Sequence, residues 1–171
     1  KYLFEKNGLK IMKIEENEIN GGSYRIFCKK NIKKSISYKE KTSLSDIKKF
    51  INRVKENKKK CLTFIKKCKE RGEEIYLYGA STKGNTLLQY YGINSKMISF
   101  ASERSPEKWD KYTIGSGLKI ISEEEARNLN PKYFFVMPYA FIKEFIKREK
   151  KWLEKGGKFI LPYPNFKIIN K

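Results

Sequence analysis

Residues 79–86, with the sequence GASTKGNT, combine residue types that suit phosphate binding. They follow the apolar run EIYLY and precede LLQYY, a pattern that predicts a strand, a turn and a helix. Glycines let a backbone approach a ligand closely, a helix start offers amide N–H groups, and Lys83 supplies a positive charge. The pattern is neither G-x-G-x-x-G nor a P-loop, in which Ser or Thr follows the Lys. Two interpretations stay open: a phosphate or diphosphate site, and a tight structural turn.

Three other segments carry polar or aromatic side chains where predicted strands end. Glu103 ends ISFASE, about 20 positions after the glycine turn, where dinucleotide folds hold a ribose. The loop RSPEKWDKYTIGSG and the segment MPYAF add candidate binding residues: Arg104, Lys108, Tyr112, Pro138 and Tyr139. Each also has a plainer interpretation. Glu103 can simply end a strand, and the loop after it can be an ordinary surface loop. The Tyr139 ring can cover the core instead of stacking on a base or sugar.

Strand and helix patterns alternate from residue 73 onward, and they predict a β-sheet that positions these residues. The strand patterns are EIYLYG, KMISFASE, LKIIS, KYFFVMPY and, as the last strand, KFILPYP. Strands that alternate with helices form a parallel, doubly wound sheet with right-handed crossovers. Ligands bind such a sheet beyond the carboxyl ends of its strands. The four segments are therefore expected to meet there.

The chain before residue 73 predicts a long helix and a strand pair. A helix should begin at Ser43 or Ser45 and end at Gly72. Its apolar face is Ile47, Phe50, Ile51, Val54, Cys61, Leu62, Ile65 and Cys68. Residues 1–30 predict a helix end and two strands, LKIMKIEENEI and YRIFCKK. Residues 31–42 resemble a linker, and residues 43–171 form the main domain. The start at Lys1, with the first Met at position 12, indicates a piece of a longer protein.

Composition limits the classes of function. The net charge of +20 comes from 39 basic and 19 acidic residues, mostly Lys doublets and triplets such as KREKK on amphipathic helices. We interpret them as solvated helix faces and expect no specific nucleic acid partner. Three cysteines and no His argue against a disulfide framework and a zinc site, and buried thiols are expected at Cys61 and Cys68. The chain shows neither a signal peptide nor an apolar run of about 18 residues, so no membrane and a cytoplasmic location are expected.

Several segments, in order, carry a family resemblance: NGGSYRIF, YGASTKGNTLLQYYGI, SERSPEKWDKYTIGSG, FFVMPYAF and WLEKGGKFILPYP. They resemble the carboxyl-terminal domain of nucleotide-sugar C-methyltransferases. The resemblance implies an α/β, three-layer Rossmann-like fold with a doubly wound, mainly parallel sheet and an amino-terminal β-pair extension. It also implies a parent enzyme with a zinc-binding domain, a central S-adenosylmethionine-binding domain and this domain. The substrate, often a dTDP-4-keto-deoxysugar, lies between the last two, where a base removes a proton and the resulting enolate attacks the methyl group.

The resemblance implies specific roles for residues of this chain. The glycine turn would shape the nucleotide-sugar cleft, with Lys83 on the diphosphate; its residues are Gly79, Ala80, Ser81, Thr82, Lys83, Gly84, Asn85 and Thr86. Residues 1–30 would be the tail of the preceding S-adenosylmethionine-binding domain. Asn20 stands where the family has His before Gly-Gly-Ser, and we include Asn20 and Ser23 among the substrate-binding candidates. The base, the methyl-donor site and the zinc cysteines would lie outside this chain, which alone should be inactive and hold no metal.

Two other classes of function remain as alternatives. The Asn20 replacement favours a non-catalytic binding or interaction module that kept the fold. The charge alone favours a nucleic-acid-binding protein, which ranks last.

Overall fold

The computed structural model describes residues 1–19, 22–30, 33–38 and 42–170, and leaves the Lys83 side chain undescribed. The chain divides into two compact units, residues 1–44 and 45–171. Each unit is described by itself.

The first unit contains a short helix and two strands. Helix α1 (Tyr2–Lys6) leads into strand β1 (Lys10–Asn17), which pairs antiparallel with β2 (Ser23–Lys29). The predicted helix stop and strand pair are therefore confirmed. Residues 33–38, within the predicted linker, form no helix or strand. Their buried Ser35 accepts a hydrogen bond from Ile11 N and donates one to Glu5.

The second unit, which contains its first helix from the second residue onward, alternates helices and strands. Helix α2 (Leu44–Glu70) comes first, followed by β3 (Ile75–Tyr78), α3 (Thr82–Tyr91), β4 (Phe100–Glu103), β5 (Lys119–Ser122), α4 (Glu123–Leu129) and β6 (Tyr133–Val136). The chain then continues through α5 (Ile142–Arg148), α6 (Lys150–Glu154), β7 (Lys158–Leu161) and β8 (Lys167–Ile169). The start of α4 follows ordinary capping chemistry, because Ser122 Oγ accepts a hydrogen bond from Glu125 N.

The sheet of the second unit has the order β5-β4-β3-β6-β7-β8. Neighbouring strands from β5 to β7 are parallel, and β8 pairs antiparallel with β7. The expectation that KFILPYP is the last strand is therefore wrong, because β8 follows it. The strand order reverses between β3 and β6, which makes their carboxyl ends the switch point where doubly wound sheets bind ligands.

Helices cover both faces of this sheet. On one face, Cys61, Ile65 and Leu88 of α2 and α3 pack with Leu77 and Phe135 of the sheet. On the other face, α4, α5 and α6 pack against the sheet through Ala126, Phe145, Trp152 and Leu153. The three-layer, doubly wound α/β architecture is therefore confirmed.

Two helices differ from their patterns. The predicted apolar face of α2 is buried at Cys61, Ile65 and Cys68, whereas Ile47, Phe50 and Ile51 are exposed, as is Leu44. The apolar residues of the segment before Gly156 fit the face of one helix, but the structure has two helices there, α5 and α6, which meet at Glu149; these residues are Phe141, Ile142, Phe145, Ile146, Trp152 and Leu153.

Candidate functional site

The two glycines of the turn after β3 pack closely against the segment that follows β6. Gly79 has φ +86°, and a Cβ there would lie 3.0 Å from ring carbons of Pro138. A Cβ at Gly84 would lie 3.1 Å from Met137 Cβ and Cε. Tight packing of a helix start on a neighbouring strand end is one of the reasons that such turns carry glycine. Contacts within the protein therefore account for both glycines.

The turn begins α3 through a side-chain cap. Ser81 Oγ accepts a hydrogen bond from Gly84 N at 3.1 Å, and Ser81 O accepts one from Asn85 N at 3.1 Å. Among the described residues, the buried Asn85 Oδ1 atom has no hydrogen-bond partner. Lys83 is the second residue of α3, in the turn where helix amides favour anions. The predicted strand–turn–helix is confirmed here.

Glu103, at the end of β4, holds the turn to the loop that follows it. One carboxylate oxygen accepts hydrogen bonds from Ala80 N at 3.0 Å and from Lys108 Nζ at 3.2 Å. The other accepts from Arg104 N at 2.9 Å and Ser105 N at 3.2 Å. A carboxylate offers about four acceptor positions, so these four donors occupy its capacity. Glu103 therefore fixes the glycine turn and the start of the following loop through the backbone amides of Ala80, Arg104 and Ser105.

A cavity of about 370 Å³ lies at the switch point, in the size range of small-molecule sites. Six residues on its wall were predicted from the sequence: Gly79, Ser81, Glu103, Arg104, Lys108 and Pro138. Six others were not: Tyr78, Glu123, Phe141, Glu144, Phe145 and Arg148. The carboxyl ends of β3, β4 and β6 therefore meet at one cavity, together with one face of α5.

The other candidates within the second unit lie elsewhere. Tyr112 is 64% exposed and pairs with Lys119 through an isolated antiparallel bridge. The Tyr139 ring packs edge to face on Tyr163, with centroids 4.6 Å apart. The remaining turn residues belong to the turn or to α3 but do not line the cavity; they are Ala80, Thr82, Gly84, Asn85 and Thr86.

Two further candidates, Asn20 and Ser23, come from the NGGS motif. Asn20 lies outside the described residues. Ser23 belongs to the first unit, where its hydroxyl donates a 2.7 Å hydrogen bond to Asn17 Oδ1.

Charged side chains form a connected network next to the cavity. The Tyr78 hydroxyl donates to Glu149 at 2.7 Å, and Arg127 donates two hydrogen bonds of 2.8 Å to the same carboxylate. Arg127 also contacts Glu123 at 2.9 Å. Arg148 Nε donates to the Tyr78 hydroxyl at 3.1 Å, and an Arg148 terminal nitrogen lies 3.5 Å from Glu123. The network joins β3, α4 and α5.

The burial of Glu149 and Tyr78 changes the pKa values of groups in the network. Glu149 is only 2% exposed. Desolvation, followed by the hydrogen bond to Glu149, raises the pKa of Tyr78, so the phenol stays protonated. The bonds to Glu149 raise the pKa of Arg127. The charged run KREKK predicts solvated side chains for Arg148 and Glu149, which is wrong for Glu149 because it is buried, and for Arg148 because it bonds to Tyr78.

The part of the chain that the structure describes offers neither a metal cluster nor a membrane-spanning helix. Among the described residues, no group of three or more His, Cys, Asp or Glu side chains is arranged to hold a metal ion. Within the same residues, no helix combines the length and apolar character that a membrane span needs.

Comparisons with known proteins agree with the fold. Residues 18–164 match the family model described as the C-methyltransferase C-terminal domain. The chain is also 26% identical over 180 residues to the C-methyltransferase NovU of Streptomyces niveus. That alignment covers 98% of this chain and 43% of the relative, so the chain spans less than half the length of the curated relative. The match over most of its length shows that this chain belongs to the family of C-methyltransferase C-terminal domains.

Proposed function

We propose that the protein containing this chain is an S-adenosylmethionine-dependent C-methyltransferase whose substrate is a nucleotide sugar, such as a dTDP-keto-deoxysugar. The second unit would bind that nucleotide sugar. The observation that carries the proposal is the cavity at the switch point between β3 and β6, in a domain of the C-methyltransferase family. Doubly wound domains bind nucleotides at this place.

The described residues support a division of tasks at the cavity. The start of α3 carries Lys83 and suits the diphosphate, because helix amides and a lysine both favour anions. Glu103 keeps the neighbouring turn in shape through Ala80 N. Arg104 and Lys108 add positive charge to the wall of the cavity.

S-adenosylmethionine supplies the methyl group when it is bound. The resemblance implies that the donor lies mainly outside this chain, and the chain has no His to act as a base. We therefore assign no residue of this chain to the donor or to proton removal, and expect the isolated chain to be inactive.

Transfer of a labelled methyl group tests the proposal. The full-length protein is incubated with methyl-labelled S-adenosylmethionine and a dTDP-4-keto-deoxysugar, and the expected product is a sugar nucleotide that carries the label on carbon. Binding of the nucleotide sugar without transfer would favour the alternative, a non-catalytic binding module. Neither binding nor transfer, with UDP-linked sugars tested as well, would refute both.

A further inference from the structure

One wall of the cavity comes from a single short segment. Phe141, directly before α5, and Glu144 and Arg148 of α5 all line the cavity. We call these three residues the α5 wall. Spacings of three and four residues place them on one side of the helix. Phe141 is 47% exposed, and the Arg148 side chain is 25% exposed. The α5 wall thus presents a ring, a carboxylate and a guanidinium to the same space.

The guanidinium of this wall is held in place before any ligand arrives. Arg148 Nε donates to the Tyr78 hydroxyl at 3.1 Å, and the Arg148 guanidinium lies 5.0 Å from the centroid of the Phe145 ring. Tyr78 is itself fixed by the buried Glu149. A side chain that is already ordered loses little conformational entropy on binding. The Arg148 guanidinium therefore has a fixed orientation from which it can donate hydrogen bonds to a ligand in the cavity.

Charge argues against an anion as the ligand of the α5 wall. The described side chains that line the cavity include three carboxylates and three cations: Glu103, Glu123, Glu144, Arg104, Lys108 and Arg148. Their formal charges cancel, whereas a surface that gathers anions carries an excess of positive charge. On the α5 wall, Glu144 adds a carboxylate that would repel a phosphate.

A polyhydroxylated ring fits this combination of groups. Hydroxyls donate to carboxylates and accept from guanidinium groups, so one ring can satisfy Glu144 and Arg148 together. The exposed Phe141 ring offers an apolar surface to the carbon-bound hydrogens of a sugar.

We infer that the α5 wall binds an uncharged, hydroxyl-bearing ring of the nucleotide sugar, either the hexose or the ribose, while the diphosphate lies toward the start of α3. This inference rests on the proposed function. It assigns binding roles to Phe141, Glu144 and Arg148, which the sequence did not identify.

Three probes of increasing size test the inference on the full-length protein: inorganic pyrophosphate, dTDP and dTDP-glucose. Titration calorimetry compares Glu144→Gln and Arg148→Gln with Lys143→Gln and Lys147→Gln, which remove exposed charges from the same helix away from the cavity. Both α5-wall variants should weaken dTDP-glucose binding about tenfold or more, the loss expected for one hydrogen bond to a charged group. Pyrophosphate affinity should stay unchanged, and the lysine variants should match the wild type.

The pattern across probes decides the outcome. A loss limited to dTDP-glucose identifies the hexose and supports the inference. An equal loss for dTDP and dTDP-glucose supports it when deoxyribose 5-phosphate also loses affinity, which identifies the pentose; without that loss the base lies at the wall and the inference is overturned. Pyrophosphate binding that weakens in Arg148→Gln and strengthens in Glu144→Gln would show a phosphate at the wall and overturn it. Unchanged affinity for every probe would also overturn it.

Two further measurements distinguish a failure of the inference from unfolding of a variant and from a failure of the proposed function. Thermal unfolding monitors the fold of Arg148→Gln, and Glu144→Gln provides an independent test because Glu144 is exposed. If the wild type binds neither dTDP nor dTDP-glucose, the proposed function fails, and the inference that rests on it fails too.

Discussion

Tyr78 and Glu149 lie 71 positions apart in the chain and share a buried hydrogen bond of 2.7 Å. The bond connects the last residue of β3 to the point where α5 gives way to α6. Because Glu149 also accepts two bonds from Arg127 of α4, one carboxylate joins three elements on one face of the sheet. The cavity wall at Tyr78 and Arg148 depends on this connection.

Glu149→Ala should lower the free energy of unfolding by about 2–3 kcal/mol, because it leaves Arg127 and the Tyr78 hydroxyl without their acceptor. Tyr78→Phe should cost about 1 kcal/mol. Urea denaturation measures both. Glu154→Ala, at an exposed ion pair of 4.0 Å, is the control and should change stability by less than about 1 kcal/mol. Equal effects at Glu149 and Glu154 would contradict the structural role of Glu149.

Gly84→Val should destabilise the second unit by about 1–3 kcal/mol, because the new side chain meets Met137 and Ser81 Oγ at 3.0–3.1 Å. Thr86→Val, at an exposed position of the same helix, should have an effect below about 0.5 kcal/mol. Thermal unfolding of the two variants makes the comparison. If Gly84→Val is as stable as the wild type, the contacts with Met137 and Ser81 do not restrict the side chain at position 84.

Lys83→Ala should weaken nucleotide-sugar binding by about 1.5–3 kcal/mol, roughly ten- to a hundredfold, if Lys83 contacts the diphosphate at the start of α3. Stability should not change. Titration of the full-length protein with dTDP measures the affinity, and unfolding by urea measures the stability. Full affinity and full turnover in Lys83→Ala would assign the turn a structural role only.

Stability should fall as pH rises above about 8.5. Burial raises the pKa of Cys61 to about 12 and that of Cys68 to about 11. An unfolded chain releases these thiol protons near pH 8.5, so between the two values the folded state binds more protons and loses stability with rising pH. Cys61→Ala should make the decline shallower by up to about 1.4 kcal/mol per pH unit. Urea midpoints at pH 8, 9 and 10 measure it. Cys28→Ala is the control, in the other unit, and identical slopes for the two variants would refute the prediction.

Duplex DNA should bind weakly and without sequence preference. The net charge of +20 can neutralise phosphates, so affinity should fall linearly with salt on a logarithmic scale. Fluorescence anisotropy with two unrelated duplexes at low and physiological salt tests this. Tight binding of only one duplex at physiological salt would reopen the nucleic-acid alternative.

The main features of the fold could be predicted because they depend on local patterns. Buried runs such as KYFFVM mark parallel strands. Ser81 and Ser122 mark helix starts through their side-chain hydroxyls, and Gly92 marks a helix end through its left-handed backbone. Strand β8 has only three residues, too few for a period, and forms by pairing with β7. Its pairing could not be read from its own sequence.

The α5 side of the site escaped prediction for a related reason. Arg148 and Glu149 lie in a run of lysines, and a charged run is usually solvated. The burial of Glu149 depends on Tyr78 and Arg127, which lie 71 and 22 positions away from it. A contact between distant residues leaves no periodic signal. The turn was recognised from its residue types, but only the structure shows that packing accounts for its glycines.

The Glu103 carboxylate occupies backbone amides that a phosphate could otherwise use at this edge of the sheet. The amide groups of Ala80, Arg104 and Ser105 point at one anion, and that anion is the protein's own side chain. An incoming diphosphate would have to displace Glu103 to use them. A phosphate that binds at this edge without displacing Glu103 must therefore use other donors, such as those at the start of α3.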